Sequence, residues 1–339
     1  MRFSMLRRDF LKAGTGAVVA GSALAGLAAC GPKAGPSDTI NIVSTSGTTS
    51  LVLTALMEDV GYLGEFGVKS NFINVADGNK VAAALISGHA DLCPSAGFTQ
   101  VLAAIGRGAP LRLVGGGAVK NFNCVFSGKP GIRTLKDLEG KSVGVGALGT
   151  QLHQTMIALF DKFGVDATKV KFANVGASTD VFKAIKAGVI DAGPCEYWLQ
   201  DDSVHILENG KTFESIPEFV NQAGFTSQFT IAQKRDLLVK TLAAYAKLYR
   251  FIMAGDSEAA FVAASARALG ERADPRSAHA QWAFYRQIQP YAAHLELPEQ
   301  SLRYMQDLNI KTGTQKTLLP YSRVIDMSLA TDALKLLPA

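Results

Sequence analysis

The 339-residue sequence has little charge, few aromatic rings and few cysteines: 19% Asp, Glu, Lys and Arg, 8% Phe, Trp and Tyr, and four Cys. So few Cys exclude a small disulfide scaffold, and a chain that is 48% hydrophobic is not an acidic disordered one. Gly (33) and Pro (12) are too few for a collagen repeat and fit a turn-rich α/β protein. The formal charge of +5 is concentrated at the front, where Arg2, Arg7, Arg8 and Lys12 against Asp9 make +3 and leave +2 for everything after residue 29. With no Lys/Arg cluster beyond position 30, the chain has no electrostatic footprint for a phosphate backbone, so no nucleic-acid partner is expected. His89, His153, His205, His279 and His294 are scattered, with no H-E-x-x-H, no paired Cys ligands and no G-x-S-x-G elbow. Neither a metal site nor a catalytic nucleophile is supported, and no cofactor is expected. The length exceeds one typical domain of roughly 100–200 residues, so two core-bearing units are expected.

The front of the chain reads Arg7-Arg8-Asp9-Phe10-Leu11-Lys12, followed by seventeen uncharged, mostly small residues at 13–29. This run is short for a spanning helix of about 20 residues and fits a cleaved h-region. It resembles a twin-arginine export signal. Leu27-Ala28-Ala29-Cys30 resembles a lipobox, which implies a lipid-modified Cys30 as the first mature residue; a plain signal with an unmodified Cys is the alternative. Residues 31–38, rich in Gly and Pro, then act as a tether. The expected location is the periplasm, with the body held to a bacterial membrane through lipidated Cys30 after twin-arginine export. Such substrates fold before export, so Cys93, Cys124 and Cys195 are expected as small buried hydrophobes and not as bridges, although their pairing stays open.

Laying residues 74–94 over 174–194 aligns Asn74/Asn174, Val75/Val175, Val81/Val181, Ala84/Ala184, Gly88/Gly188, Asp91/Asp191 and Pro94/Pro194, seven of 21 positions. Upstream, Ile42-Val43-Ser44-Thr45-Ser46-Gly47-Thr48 lies over Gly144-Val145-Gly146-Ala147-Leu148-Gly149-Thr150 with two residues of slippage. Both halves read as an apolar strand, a Gly/Thr turn, a helix, a second strand, a helix ended by Gly, and a short strand after Asp. Strands alternating with helices specify βαβ units and parallel pairing, because a parallel crossover must be long enough to hold a helix. Residues 111–114 and 122–126 are expected as strands before a first crossover between halves, and 225–231 as a strand that returns the chain. Beyond it Leu237, Leu238, Leu242, Tyr245, Leu248, Tyr249 and Ile252 recur at three- and four-residue spacing, a helical stripe expected to pack on the outside of the first unit.

Three stretches carry a family resemblance over roughly 39–235: Ala84-Leu85-Ile86-Ser87-Gly88-His89-Ala90-Asp91, then Ile132-Arg133-Thr134-Leu135-Lys136-Asp137-Leu138-Glu139-Gly140-Lys141-Ser142-Val143-Gly144-Val145, then Ala184-Ile185-Lys186-Ala187-Gly188-Val189-Ile190-Asp191-Ala192. The chain resembles the periplasmic solute-binding proteins of ABC importers, in the nitrate/sulfonate/taurine and thiamine-pyrimidine-precursor group with the type II periplasmic binding fold. The resemblance implies an α/β protein of two lobes, each a mostly parallel sheet flanked by helices, with a helical C-terminal tail. Lobe one would be 39–125 and 226–339 and lobe two 126–225. It further implies a monomer that closes on a small-molecule ligand and docks on an ABC permease. A receptor serving a membrane sensor would share every one of these residues.

Ligands of open parallel sheets collect outside the carboxyl ends of the strands, where helix N-termini offer unpaired N–H groups and a positive dipole end. Two equivalent turns qualify: Thr45, Ser46, Gly47, Thr48 and Thr49, and Leu148, Gly149, Thr150 and Gln151 after Ala147. The Thr residues could instead only cap their helices. By the resemblance, the loops after each repeated Asp also line the cleft: Ser95, Ala96, Gly97 and Phe98 in lobe one, Glu196 and Trp198 in lobe two. Glu196 would repel a plain anion and favour a ligand that donates hydrogen bonds or carries positive charge, and Phe98, Tyr197 and Trp198 offer surface for stacking; a solvated Glu and core aromatics are the alternative. Gly149→Val and Thr48→Val are expected to weaken binding with little loss of fold. The competing motif is Gly144-Val145-Gly146-Ala147-Leu148-Gly149, a G-x-G-x-x-G of NAD-type dinucleotide enzymes, but the next strand ends Asn174-Val175-Gly176 without the acidic residue expected for the ribose.

Overall fold

The computed structural model describes residues 39–338, so the expected signal at 1–29, Cys30 and the tether to residue 38 lie outside the described residues. The first half runs β1 (Thr39–Thr45), α1 (Thr48–Val60), a short α2 (Tyr62–Glu65), β2 (Lys69–Val75), α3 (Gly78–Ile86), β3 (Leu92–Ala96), α4 (Thr99–Gly106) and β4 (Leu111–Gly116). The second runs β5 (Asn123–Ser127), β6 (Ser142–Val145), α5 (Gln151–Phe163), β7 (Lys171–Asn174), α6 (Ser178–Lys186), β8 (Ala192–Glu196), β9 (His205–Lys211) and a short α7 (Thr212–Ser215). After β10 (Ala223–Ser227) come α8 (Gln228–Ile252), α9 (Glu258–Leu269), α10 (Pro275–Ile288), α11 (Glu299–Lys311), α12 (Tyr321–Val324) and α13 (Ser328–Leu334).

These strands form two five-stranded sheets, ordered β2-β1-β3-β10-β4 and β7-β6-β8-β5-β9. β1 is parallel to β2 and β3, and β6 to β7 and β8, while β10 and β5 run against both their neighbours. Each sheet thus has four strands in one direction and one reversed, the mostly parallel arrangement that the alternating pattern requires. The chain changes lobe at 117–122 and 216–222, and the two crossings bond to each other: Gly117 N–H to the Gln222 carbonyl (3.2 Å) and Gln222 N–H to that of Ala118 (2.8 Å). The lobe boundaries expected at 125/126 and 225/226 fall a few residues earlier, because β5 pairs along its whole length with β8, and β10 pairs with β3 and β4. The strand expected over 225–231 stops at Ser227, whose Oγ accepts the Thr230 N–H at 3.0 Å and caps α8.

Lobe one is buried on both faces of its sheet. Ile40 and Ile42 of β1 pack with Val52 and Leu56 of α1 and with Leu238 and Tyr249 of α8, while Val43 points the other way, toward Val81 and Leu85 of α3 and Leu102 of α4. The apolar stripe of α8 is therefore core of lobe one. The tail does more than cover that lobe, however: the Phe284 ring of α10 stacks on Tyr197 at 4.4 Å, and Asn309 of α11 accepts from Gln154 of α5 at 3.0 Å. Cys93, Cys124 and Cys195 are buried free thiols.

The repeated Asp residues hold equivalent joints. Asp91 Oδ2 accepts the Asn41 N–H of β1 (2.8 Å) and meets Lys234 Nζ (2.8 Å); Asp191 Oδ2 accepts both the N–H (2.7 Å) and the Oγ–H (2.8 Å) of Ser142 at the start of β6, with Lys129 beside it. Burial raises the Asp191 pKa, but the Lys129 ammonium and the Ser142 donors outweigh it and hold the carboxyl down at about 2, against an ordinary 3.8. A folded pKa below the unfolded one makes this stabilisation present above about pH 4 and lost as pH falls through about 2. Asp191→Asn is expected to cost about 2 kcal/mol in urea unfolding at pH 7, with the gap to the native chain closing as the pH is lowered from about 4.

Candidate functional site

Four helices begin at the carboxyl ends of the two sheets and converge on one cavity of 390 Å³ between the lobes, within the usual range of about 300–1,000 Å³ for small-molecule sites. Gly47, Thr49 and Ser50 bring the start of α1, Asp77 to Asn79 that of α3, Thr150 to Leu152 that of α5, and Ala177 and Ser178 that of α6. Asp77 caps α3, its Oδ1 accepting from the N–H groups of Asn79 (2.9 Å) and Lys80 (3.0 Å). The starts of α1 and α5 carry no side-chain cap: the N-cap of α1 is Gly47, and Thr150, the N-cap of α5, donates its hydroxyl to the Ala147 carbonyl (2.6 Å). Capping thus does not account for the Thr residues in these turns, and the dipole ends of two thirteen-residue helices meet the cavity without a side-chain cap, although the Gly149 N–H just ahead of α5 donates to His153 Nδ1 (3.1 Å). A second cavity of 470 Å³ lies between the end of α5 and β9, away from these helix starts.

Of the residues singled out from sequence, Thr45, Gly47, Thr49, Ala96, Gly97, Thr150, Gln151 and Glu196 line the cavity together. The others stand outside that lining. Ser46 is exposed and bonds the Val75 carbonyl through its N–H (2.8 Å) and Oγ (3.1 Å), and Thr48 is half-buried on the first turn of α1. Ser95 is buried one layer behind, where its Oγ donates to Oε1 of Gln222 at 2.7 Å and so orients a side chain that does line the cavity. Phe98 is fully buried in the core of lobe one. Trp198 packs on Phe122 (5.2 Å) and on Tyr285 of α10 (5.3 Å), leaving Phe122 as the aromatic ring in the cavity wall. Leu148 is 67% exposed. Gly149 sits at φ +83° where a Cβ would come 3.0 Å from Thr314, so Gly149→Val strains the backbone and is no clean probe of binding, contrary to the sequence expectation.

Sequence reading passed over the second pair of turns, Ala76 to Asn79 and Asn174 to Ser178, which line the cavity as fully as the first pair. The repeat itself carried the signal, since Asn74 and Asn174 align and each precedes a helix start. The G-x-G-x-x-G glycines have local reasons of their own: a Cβ on Gly144 would meet Ile190 at 2.2 Å, and Gly149 needs its positive φ. The lobes already touch beside the cavity, where Thr99 Oγ1 donates to the Gly149 carbonyl (3.1 Å) and Gly97 lies against Gln151.

Glu196 ends β8 with its side chain in the cavity wall, 8% exposed and with Oε2 unpartnered. Burial pushes its pKa up, with the Ser178 hydroxyl at the head of α6 opposing. Among the described residues that line the cavity none is Lys, Arg or His. Nor do the described residues contain a group of three or more His, Cys, Asp or Glu able to hold a metal ion.

Two sheets joined by two crossings, with helix starts turned on the gap between them, define a two-lobed ligand-binding fold of the periplasmic binding protein type. Residues 54–259 match the family described as NMT1/THI5 like, and the chain belongs to that family. Its fold is similar to that of the alkanesulfonate-binding protein SsuA from Xanthomonas axonopodis pv. citri bound to MOPS, with a TM-score of 0.69 and 17% identity over 87% of this chain and 99% of that one. It is similar also to the periplasmic nitrate-binding protein NrtA from Synechocystis PCC 6803 (TM-score 0.67, 10% identity, 88% of this chain and 89% of that one). The desulfurization enzyme DSZB shares the fold at a TM-score of 0.61 and 13% identity, covering 88% of this chain and 99% of that one. No curated protein matches the sequence.

Proposed function

We propose that this chain is an extracytoplasmic solute-binding receptor that holds one small organic molecule between its lobes and delivers it to an ABC permease. The observation that carries the reading is the interlobe cavity with the uncapped starts of α1 and α5 in its wall. Sulfonates, carboxylates, amines and pyrimidine-like rings all fall within the size and chemistry of the cavity. Binding would favour the closed arrangement by the ligand's differential affinity for it. The Cys30 lipobox and the twin-arginine segment support attachment to the outer face of a bacterial membrane, with the receptor working as a monomer. A thermal-shift screen of those four compound classes tests the reading: a true ligand at a hundredfold excess over its Kd is expected to stabilise the fold by about 2.7 kcal/mol, and a complete absence of stabilising compounds would count against it.

A further inference from the structure

Glu196 is a buried carboxylate whose Oε2 has no hydrogen-bond partner among the described residues, and the residue stands in the wall of the interlobe cavity. Burying a carboxylate is unfavourable unless a donor or a countercharge compensates it, and the described residues of this cavity wall supply no cation. The Asp77 carboxylate is already taken up in capping α3, and Tyr285 of α10 and Cys195 on the strand of Glu196 itself feel its charge without offsetting it. On other sides of the same cavity the starts of α1 and α5 favour an acceptor oxygen. One wall therefore lacks a positive donor and another lacks a negative acceptor.

From this juxtaposition we infer that the solute carries two unlike ends: a cationic N–H group, ammonium or amidinium, that meets Glu196, and an oxyanion or other acceptor group held at the starts of α1 and α5. The inference rests on the receptor reading of the same cleft and narrows it to zwitterion-like ligands. A plain anion would satisfy the helix starts and leave the carboxylate unmet; a plain amine would do the reverse.

The test is calorimetric titration of the whole protein with matched pairs, ω-amino alkanesulfonates and ω-amino carboxylates against the same acids without nitrogen, on the native chain and on Glu196→Gln. Gln keeps the shape of the side chain and removes its charge; melting temperature verifies the fold, and Glu196→Asp, which keeps the charge but withdraws it, serves as a second variant. The expected result is that aminated members bind the native chain at least about tenfold more tightly than their partners, lose about tenfold in Glu196→Gln, and fall between in Glu196→Asp, while the nitrogen-free acids are unchanged or gain. If the nitrogen-free acids bind the native chain as well or better and weaken in Glu196→Gln, Glu196 is donating a proton to an anion; the receptor reading then stands and the inference falls. If neither series binds, the inference falls as well, and native mass spectrometry of the protein isolated from cells decides separately, by a co-purified small molecule, whether the receptor reading survives.

Discussion

Phe98→Ala is expected to lower the unfolding free energy by about 3–5 kcal/mol while changing the Kd of any cleft ligand by less than about threefold. The ring is fully buried in the core that also holds Val101 and Leu102 of α4, and it does not reach the cavity wall, although Ala96 and Gly97 immediately before it do. Truncation removes the transfer free energy of the ring and leaves a void that the flanking sheet and helix fill only in part, so the loss belongs to the fold. Urea unfolding and titration on the same variant separate the two quantities. A large loss of affinity with unchanged stability would place the ring against the solute, where the sequence reading had it.

That contrast shows where sequence was informative. The two halves were legible because their signals are local: an apolar strand, a Gly/Thr turn, and Gly88 and Gly188 at φ +76° and +68° just past α3 and α6. The strand continuing past Ser227 was misjudged because Phe229 and Ile231 keep a β-like pattern while one hydroxyl at 227 starts the helix, a short-range bond that outweighs propensity. The surroundings of Trp198 and Tyr197 were not legible at all, since their rings are covered by Phe284 and Tyr285, more than eighty residues further along a tail expected to serve lobe one only. Glu196 stood out in sequence as a charge in an otherwise uncharged loop, and its cavity position comes from the register that sets it opposite Asn123 on β5. What no pattern of residues could have told is that its Oε2 goes unpartnered, because that depends on every lining side chain of both lobes at once.

Gly97→Val is the substitution expected to act most directly on closure. Gly97 belongs to lobe one and Gln151 to lobe two, and a Cβ added to Gly97 would stand 3.0 Å from the Gln151 Cβ, an atom fixed to the helix backbone and unable to swing away. Valine adds two methyl groups beyond that Cβ, so the lobes can approach this closely only with overpacking strain of about 1–3 kcal/mol, paid by the closed arrangement and not by either lobe alone. The fraction of molecules able to close falls accordingly, and apparent affinity should weaken by about tenfold to a hundredfold with a nearly unchanged melting temperature for the unliganded protein. Small-angle scattering should show a larger radius of gyration than the native chain under ligand saturation. Gln151 also lines the cavity, so the second substitution Gln151→Ala is read by shape and not by affinity: in Gly97→Val/Gln151→Ala the obstructing atoms beyond Cβ are gone and part of the closure should return, a coupling between two residues that meet only across the cleft. If the single variant closes as readily as the native chain, the contact between Gly97 and Gln151 is not part of the closing interface.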